Sequence, residues 1–142
     1  MTGNTRFETV INSQIDIERA RRAARDIARQ AGFNRQEAEA IALASTELAS
    51  NLMRHASNGR IVVAEVAAAS RNGVAVETWD CGPGIADVSL AIQDGFSTVG
   101  GLGSGLPAVR RLMDEFTIET SPAGSIIRAC KWISASNASP SA

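Results

Sequence analysis

The feature that most constrains the fold is a change in hydrophobic period after residue 56. Before that point, apolar residues recur every three or four positions in two consecutive segments, which predicts two amphipathic helices in series. After it, Arg60–Val66 and Val74–Trp79 have the composition of strands, and the Asn72–Gly73 pair between them predicts a hairpin turn. Helices and strands that occur in blocks favour an α+β fold and argue against a doubly wound α/β fold.

The first elements have clear expected boundaries. Phe7–Ile11 is expected to be a short edge strand, Asp16 to cap the first helix and Gly32 to end it. The core face of that helix is expected to consist of Ile17, Ala20, Ala24, Ile27, Ala28 and Ala31. A capping box that starts at Asn34 is expected to begin the second helix, which runs to about Ala56. The core face of the second helix is expected to consist of Ile41, Ser45, Leu48, Ala49 and Leu52.

The second half of the chain begins with a segment rich in glycine. A short helix is expected over Asp87–Ile92, and the stretch Gly95–Gly105 is expected to be irregular. A third helix is expected over Leu106–Phe116. A second hairpin is expected to pair Thr117–Thr120 with Ser125–Ile133. The order predicts a two-layer sandwich, with helices on one face of a mixed, mostly antiparallel sheet.

Composition limits the class of protein further. A chain of 142 residues is the length of one domain, expected over residues 1–133 with a disordered tail over 134–142. Two cysteines and one histidine cannot supply a disulfide framework or a zinc site. A formal charge of −1 gives no indication of nucleic-acid binding, and neither a membrane span nor a signal peptide is expected. The sequence therefore predicts a cytoplasmic, reduced protein without nucleic-acid or membrane partners.

The second helix carries the first candidate site. Glu47, Asn51, Arg54 and His55 recur at helical spacing on one face, roughly opposite the apolar stripe. A carboxylate can polarise a hydroxyl group, and an asparagine oxygen can bind a hard cation such as Mg²⁺. The alternative is a solvated polar face, and for His55 a capping or packing role.

Two glycine motifs form the other candidate sites. Asp80, at the end of a strand, is followed by Gly82 and Gly84, which would let the edge of an aminopurine approach the backbone. The alternative is a simple turn. Beside Asp80, Cys81 is expected to be a small packed residue rather than a redox sensor. The second motif opens the third helix, where backbone N–H groups form a ready anion site; the alternative is a bare flexible loop. Its residues are Gly101, Gly103, Ser104, Gly105 and Leu106. Together the three motifs predict an ATP site.

In this order the motifs resemble the GHKL (Bergerat-fold) superfamily of ATPases and kinases. Its N-box is matched by Glu47–Ala56, its first glycine box by Asp80–Ile85 and its second by Gly101–Leu106. Ser125 follows Gly124 where the family usually has threonine. The likeness covers Phe7 to Ile133. It is closest to anti-sigma-type serine kinases, and within these to the switch kinases of stressosomes, through Asp94–Gly103 and Arg111–Phe116.

The resemblance implies an ATP- and Mg²⁺-dependent protein-serine/threonine kinase. Its substrates would be STAS-domain substrate or scaffold proteins (RsbS- or RsbR-like), and after release it would activate a PP2C-type phosphatase (RsbU-like). A kinase that binds a sigma subunit directly, a weakly catalytic nucleotide-dependent binding module and a plain ATPase remain alternatives.

The resemblance also implies a role for each motif residue. Glu47 would be the general base, Asn51 would bind Mg²⁺, and Asp80 would accept the adenine amino group. The further nucleotide-binding residues implied are Arg54, Gly82, Gly84, Gly101, Gly103, Ser104, Gly105, Leu106 and Ser125.

Overall fold

The computed structural model describes residues 5–55, 58–81 and 105–133, together with the backbone but not the side chain of His55. The expected order of elements is confirmed within these residues. In chain order they are β1 (Arg6–Ile11), α1 (Gln14–Ala31), α2 (Arg35–His55), β2 (Gly59–Ala68), β3 (Arg71–Asp80), α3 (Leu106–Leu112), β4 (Glu115–Ser121) and β5 (Gly124–Trp132).

The strands form one five-stranded sheet in the order β1-β2-β3-β5-β4. Every pairing among the described strands is antiparallel, where the sequence predicted a mixed sheet. As predicted, β1 is an edge strand. Helices α1 and α2 pack against the sheet face that carries alternate apolar residues of β2, β3 and β5. These residues are Ile61, Val63, Val74, Val76, Ile127 and Ala129. The predicted two-layer α+β architecture is confirmed.

The start of α1 differs from the sequence prediction by one turn. Ser13, not Asp16, is the N-cap residue, and Asp16 is the third residue of the helix. The Asp16 carboxylate accepts hydrogen bonds from the backbone N–H groups of Asn12 (2.9 Å) and Ser13 (3.1 Å). These bonds, led by that from Asn12, lower the pKa of Asp16. The predicted core stripe is confirmed, because all six of its residues are buried, and Gly32 ends the helix with a φ of 112°.

The third helix is shorter than predicted. It ends at Leu112, and Phe116 lies in β4 opposite Ala129. The backbone N–H of Asp114 donates to the Cys130 carbonyl (2.8 Å), and its carboxylate accepts from the backbone N–H of Trp132 (2.8 Å). Pairing with β5 therefore takes over the residues that helical periodicity assigned to the helix. Spacings of three and four residues cannot by themselves distinguish the last turn of a helix from the start of a strand.

The first hairpin is confirmed, but its turn is not at Asn72–Gly73. Those two residues belong to β3 and pair with Ala67 and Val66. The turn is at Ala69–Ser70, where Ala69 adopts a left-handed φ of 53°. Gly73 has a different role, because a Cβ atom there would collide with the backbone carbonyl of a β5 residue. Its glycine permits close approach of two strands rather than a turn.

The second hairpin has its turn at Pro122–Ala123, as expected. Trp79, near the end of β3, is 46% exposed. The predictions for Asp87–Ile92, for the glycine-rich stretch before Gly105 and for the tail over 134–142 lie outside the described residues. In the part of the chain that the structure describes, no helix is both long enough and apolar enough to span a membrane.

Candidate active site

The polar face of α2 is partly buried rather than fully solvated. Asn51 is only 7% exposed and Glu47 is half-buried, whereas Arg54 is exposed. Helix α3 packs against α2, and Gly105 at its start lies next to Glu47. The Asn51 Oδ1 atom accepts no hydrogen bond from any residue that the structure describes. A buried carbonyl oxygen without a donor is unfavourable, and an amide oxygen of this kind is a suitable ligand for a hard cation.

Gly105 brings the start of α3 against Glu47. Gly105 is buried, and a Cβ atom built on it would lie 2.6 Å from Glu47 Oε1. A side chain at position 105 would require the Glu47 carboxylate to move away from the start of α3. The next residue, Leu106, is fully buried in the apolar core, so only its backbone could contact a ligand. The fold thus brings the end of the third sequence motif next to the first.

A row of three polar side chains crosses one end of the sheet. Asp80 of β3 is paired in register with Ser125 of β5, which is paired with Thr120 of β4. The hydroxyl oxygens of Thr120 and Ser125 are 2.8 Å apart. Thr78, two positions before Asp80, is buried, and so is Ile127, two positions after Ser125. Because side chains alternate along a strand, Asp80 and Ser125 continue the helix-facing side of the sheet.

This row borders a groove of about 440 Å³ at the same end of the sheet. The groove is lined by β3 residues Trp79 and Asp80, by residues 119–121 of β4, and by residues 123–126 at the start of β5. Glycine is required at position 124, because a Cβ atom there would collide with the backbone carbonyl of Asp80 and because the residue has a φ of 151°. The absence of a side chain thus lets the start of β5 lie close to the end of β3. Thr120 was not among the site residues predicted from the sequence. The signal was available, because a turn at Pro122–Ala123 places Thr120 directly opposite Ser125.

The two cysteines differ in a way that the sequence did not indicate. Cys81, expected to be a packed residue beside Asp80, is exposed. Cys130 of β5 is buried, and burial raises the pKa of its thiol to about 11. The Cys130 thiol is therefore protonated and unreactive at neutral pH.

The described part of the site contains no dense metal cage. No group of three or more His, Cys, Asp or Glu side chains lies close enough together to hold a metal among the residues the structure describes. Asn51 and the adjacent Glu47 fit a different kind of cation site, in which the protein supplies one or two oxygens and phosphates and water supply the rest. The remaining predicted site residues, Gly82, Gly84, Gly101, Gly103 and Ser104, lie outside the described residues.

Comparison with known proteins gives a consistent family assignment. Residues 12–131 match the model of the histidine kinase-like ATPase domain. The chain is 41% identical over 124 residues to the serine/threonine-protein kinase RsbT of Bacillus subtilis, covering 87% of this chain and 93% of RsbT. This identity agrees with the predicted likeness to stressosome switch kinases.

Two solved structures share the fold. The RsbU and RsbW domains of a Mycobacterium tuberculosis protein superpose with a TM-score of 0.62 at 18% identity, over 89% of this chain and 32% of that one. The chain thus spans about a third of that solved chain. The mycobacterial sensor histidine kinase MprB superposes with a TM-score of 0.55 at 15% identity, over 90% of this chain and 97% of that one. At these identities the superpositions support the fold alone.

Proposed function

The chain belongs to the family of histidine kinase-like ATPase domains, and from that premise we propose that it is a serine/threonine kinase that phosphorylates STAS-domain proteins with ATP. The observation that carries the proposal is the buried Asn51, whose Oδ1 accepts no hydrogen bond from a described residue. Asn51 lies one helical turn after Glu47, and Glu47 lies against the start of α3. Such a pair suits phosphoryl transfer, which needs positioning and charge stabilisation more than covalent chemistry.

Each described residue has a role in this proposal. The Glu47 carboxylate accepts the proton of the attacking serine or threonine hydroxyl as general base. Asn51, through its Oδ1, would hold Mg²⁺ together with the triphosphate. When bound, Mg²⁺ neutralises negative charge on the phosphate oxygens. Arg54, exposed on the next turn of α2, would face the phosphates.

The end of the sheet that carries Asp80, Ser125 and Thr120 would receive the adenine ring on its helix-facing side. Asp80 is acceptor-only when ionised, which matches the donor character of the adenine amino group. Ser125, paired with Asp80 across β3 and β5, would complete the contact directly or through water. Gly82 and Gly84 would border the ring. The loop of Gly101, Gly103, Ser104 and Gly105, with the Leu106 backbone, would surround the phosphates.

The proposed partners follow from the relative and from the family resemblance. The substrates are STAS-domain proteins of the RsbS or RsbR type, and the second partner is a PP2C-type phosphatase of the RsbU type, which the kinase activates after it leaves its substrate. The identity to RsbT supports this proposal. The proposal places the kinase in the cytoplasm.

The decisive experiment measures phosphotransfer. The full chain is incubated with radiolabelled ATP, Mg²⁺ and purified STAS-domain proteins encoded beside it. Wild type is expected to label a STAS protein. Glu47→Gln should retain ATP binding but lose about 10²- to 10⁴-fold in transfer rate, because the base is removed while its shape is kept. Glu37→Gln, near the start of the same helix, is the matched control and should match wild type.

Other outcomes would point elsewhere. Transfer by Glu47→Gln at the wild-type rate would contradict the assignment of the base. Tight ATP binding without any label would contradict the kinase proposal and favour a binding module or direct capture of a sigma subunit.

A further inference from the structure

We infer that Thr120 is a positioning residue that makes the nucleotide site selective for adenine, by directing the hydroxyl proton of Ser125 toward the base. This inference rests on the proposed function, because it assumes that the purine lies against Asp80. It adds a residue from β4, a strand that none of the three sequence motifs includes.

The geometry places Ser125 between two polar partners. Asp80 and Thr120 are its register neighbours on the two adjacent strands. Directly opposed side chains in a sheet have Cβ atoms about 4.5–5.5 Å apart. The Thr120 hydroxyl oxygen is 2.8 Å from that of Ser125, which is itself only 4% exposed. The Ser125 hydroxyl is therefore held inside the row rather than solvated.

A hydroxyl group has one proton, so the direction of the Thr120–Ser125 hydrogen bond decides what Ser125 offers a ligand. If Ser125 donates to Thr120, it offers the base only lone pairs. If Thr120 donates to Ser125, the Ser125 proton is free to be donated to the base. The distance of 2.8 Å is compatible with either direction, and in the arrangement inferred above Thr120 is the donor.

The second direction suits adenine. At its Watson–Crick edge adenine carries an amino donor beside the ring acceptor N1. The Asp80 carboxylate accepts from the amino group, so N1 requires a donor, which Ser125 supplies when Thr120 donates to it. Hypoxanthine carries a carbonyl oxygen and an N1–H at the same two positions. The carboxylate would then face a carbonyl, and the Ser125 donor would face another donor.

Thr120 is also needed because position 125 is a serine rather than a threonine. A threonine is restricted about χ1 by its branched Cβ, whereas a serine samples its rotamers more freely. Ser125 therefore gains less orientation from its own side chain. The hydrogen bond to Thr120 supplies the orientation from the neighbouring strand.

The test compares the dissociation constants of ATP and inosine triphosphate for the full chain at fixed Mg²⁺, by titration calorimetry. Thr120→Val removes the hydroxyl but keeps the shape and the β-branched backbone preference. Thr120→Ser keeps the hydroxyl and serves as the conservative variant. Thr117→Val makes the same chemical change on the opposite face of β4, where Thr117 is exposed, and serves as the matched control.

Wild type is expected to prefer ATP. Thr120→Val should lower that preference by about tenfold, the scale of one lost base-edge contact. Thr120→Ser should keep most of the preference, and Thr117→Val all of it. A Thr120→Val protein with the wild-type ratio, or with equal losses for both nucleotides, would overturn the inference. If wild type itself bound neither nucleotide, the proposed function would fail as well, so the two failures are distinguishable.

Discussion

Helices α1 and α2 pack against the same face of the sheet, but they bury different kinds of side chain. The buried residues of α1 are all isoleucine or alanine. Several of its charged groups are paired near the surface. Arg25, for example, donates to Glu39 of α2 (2.6 Å) and lowers the pKa of that carboxyl. Helix α2 instead buries Ser45 and Asn51, whose side-chain oxygens have no hydrogen-bond partner among the described residues.

This difference separates an element of stability from an element that also carries function. A buried polar atom without a partner costs about 1–3 kcal/mol relative to a satisfied one. Nothing in the packing of α2 requires that cost at position 51, because an apolar residue of similar size would fill the same space. The asparagine therefore makes sense as a ligand-binding residue, whereas α1 can be understood from packing alone.

The largest expected effect tests this contrast at Asn51. Asn51→Leu should lower the phosphotransfer rate by about 10²- to 10³-fold, the scale for loss of one electrostatic group in an active site. The same change should leave the free energy of unfolding unchanged or raise it, because it removes an unsatisfied buried oxygen. Phosphotransfer assays and urea unfolding of the same preparation measure the two quantities.

Ser45→Ala is the matched control for that experiment. It removes the other unpartnered oxygen of α2 and should have the same direction of effect on stability, but it should leave phosphotransfer at the wild-type rate. A strongly destabilised Asn51→Leu protein would show that Asn51 is a structural residue and would remove the contrast between the two helices.

Most of the fold was predictable because it follows from local patterns. The six buried positions of α1 were all identified, since a helix that covers a sheet repeats its apolar residues at a fixed spacing. The errors occurred where contacts distant in sequence decide the outcome. Pairing with β5 ended α3 at Leu112, and the close approach of β5 explains Gly73, which sequence reasoning assigned to a turn.

The site was predictable to a different degree. Glu47, Asn51 and Asp80 were found because each belongs to a motif with its own spacing along the chain. Thr120 was not found, because its only signal is a position across a hairpin from Ser125. The burial of Asn51 was also not predictable from α2 alone, because its spacing along the helix puts it on a polar face roughly opposite the apolar stripe. Sequence motifs thus identify the residues that contact a ligand better than those that position them.

The next smaller effect tests whether α1 is sensitive to packing alone. Ala24 is fully buried, and Ala24→Leu inserts a larger side chain that should lower the free energy of unfolding by about 1–3 kcal/mol. Phosphotransfer per folded molecule should not change. Ala23→Leu is the matched control, because Ala23 is only partly buried and its side chain faces a surface groove. Loss of specific activity in Ala24→Leu would show that α1 also contributes to the site.

The smallest effect concerns the start of α1, where polar groups are satisfied at the surface instead of being buried. The backbone N–H of Asn12 and further hydrogen bonds hold the pKa of Asp16 below its ordinary value. A depressed pKa contributes stability above the unfolded-state value and loses it as pH falls through the folded-state value. Wild type should therefore melt at a higher temperature than Asp16→Asn at pH 7, and the difference should shrink as pH falls below about 4. Arg19→Gln should leave this pH dependence intact, because the backbone bond outweighs the charge of Arg19 in lowering the pKa. A difference in melting temperature that stays constant from pH 7 to pH 3 would show that the Asp16 carboxylate contributes nothing through its charge.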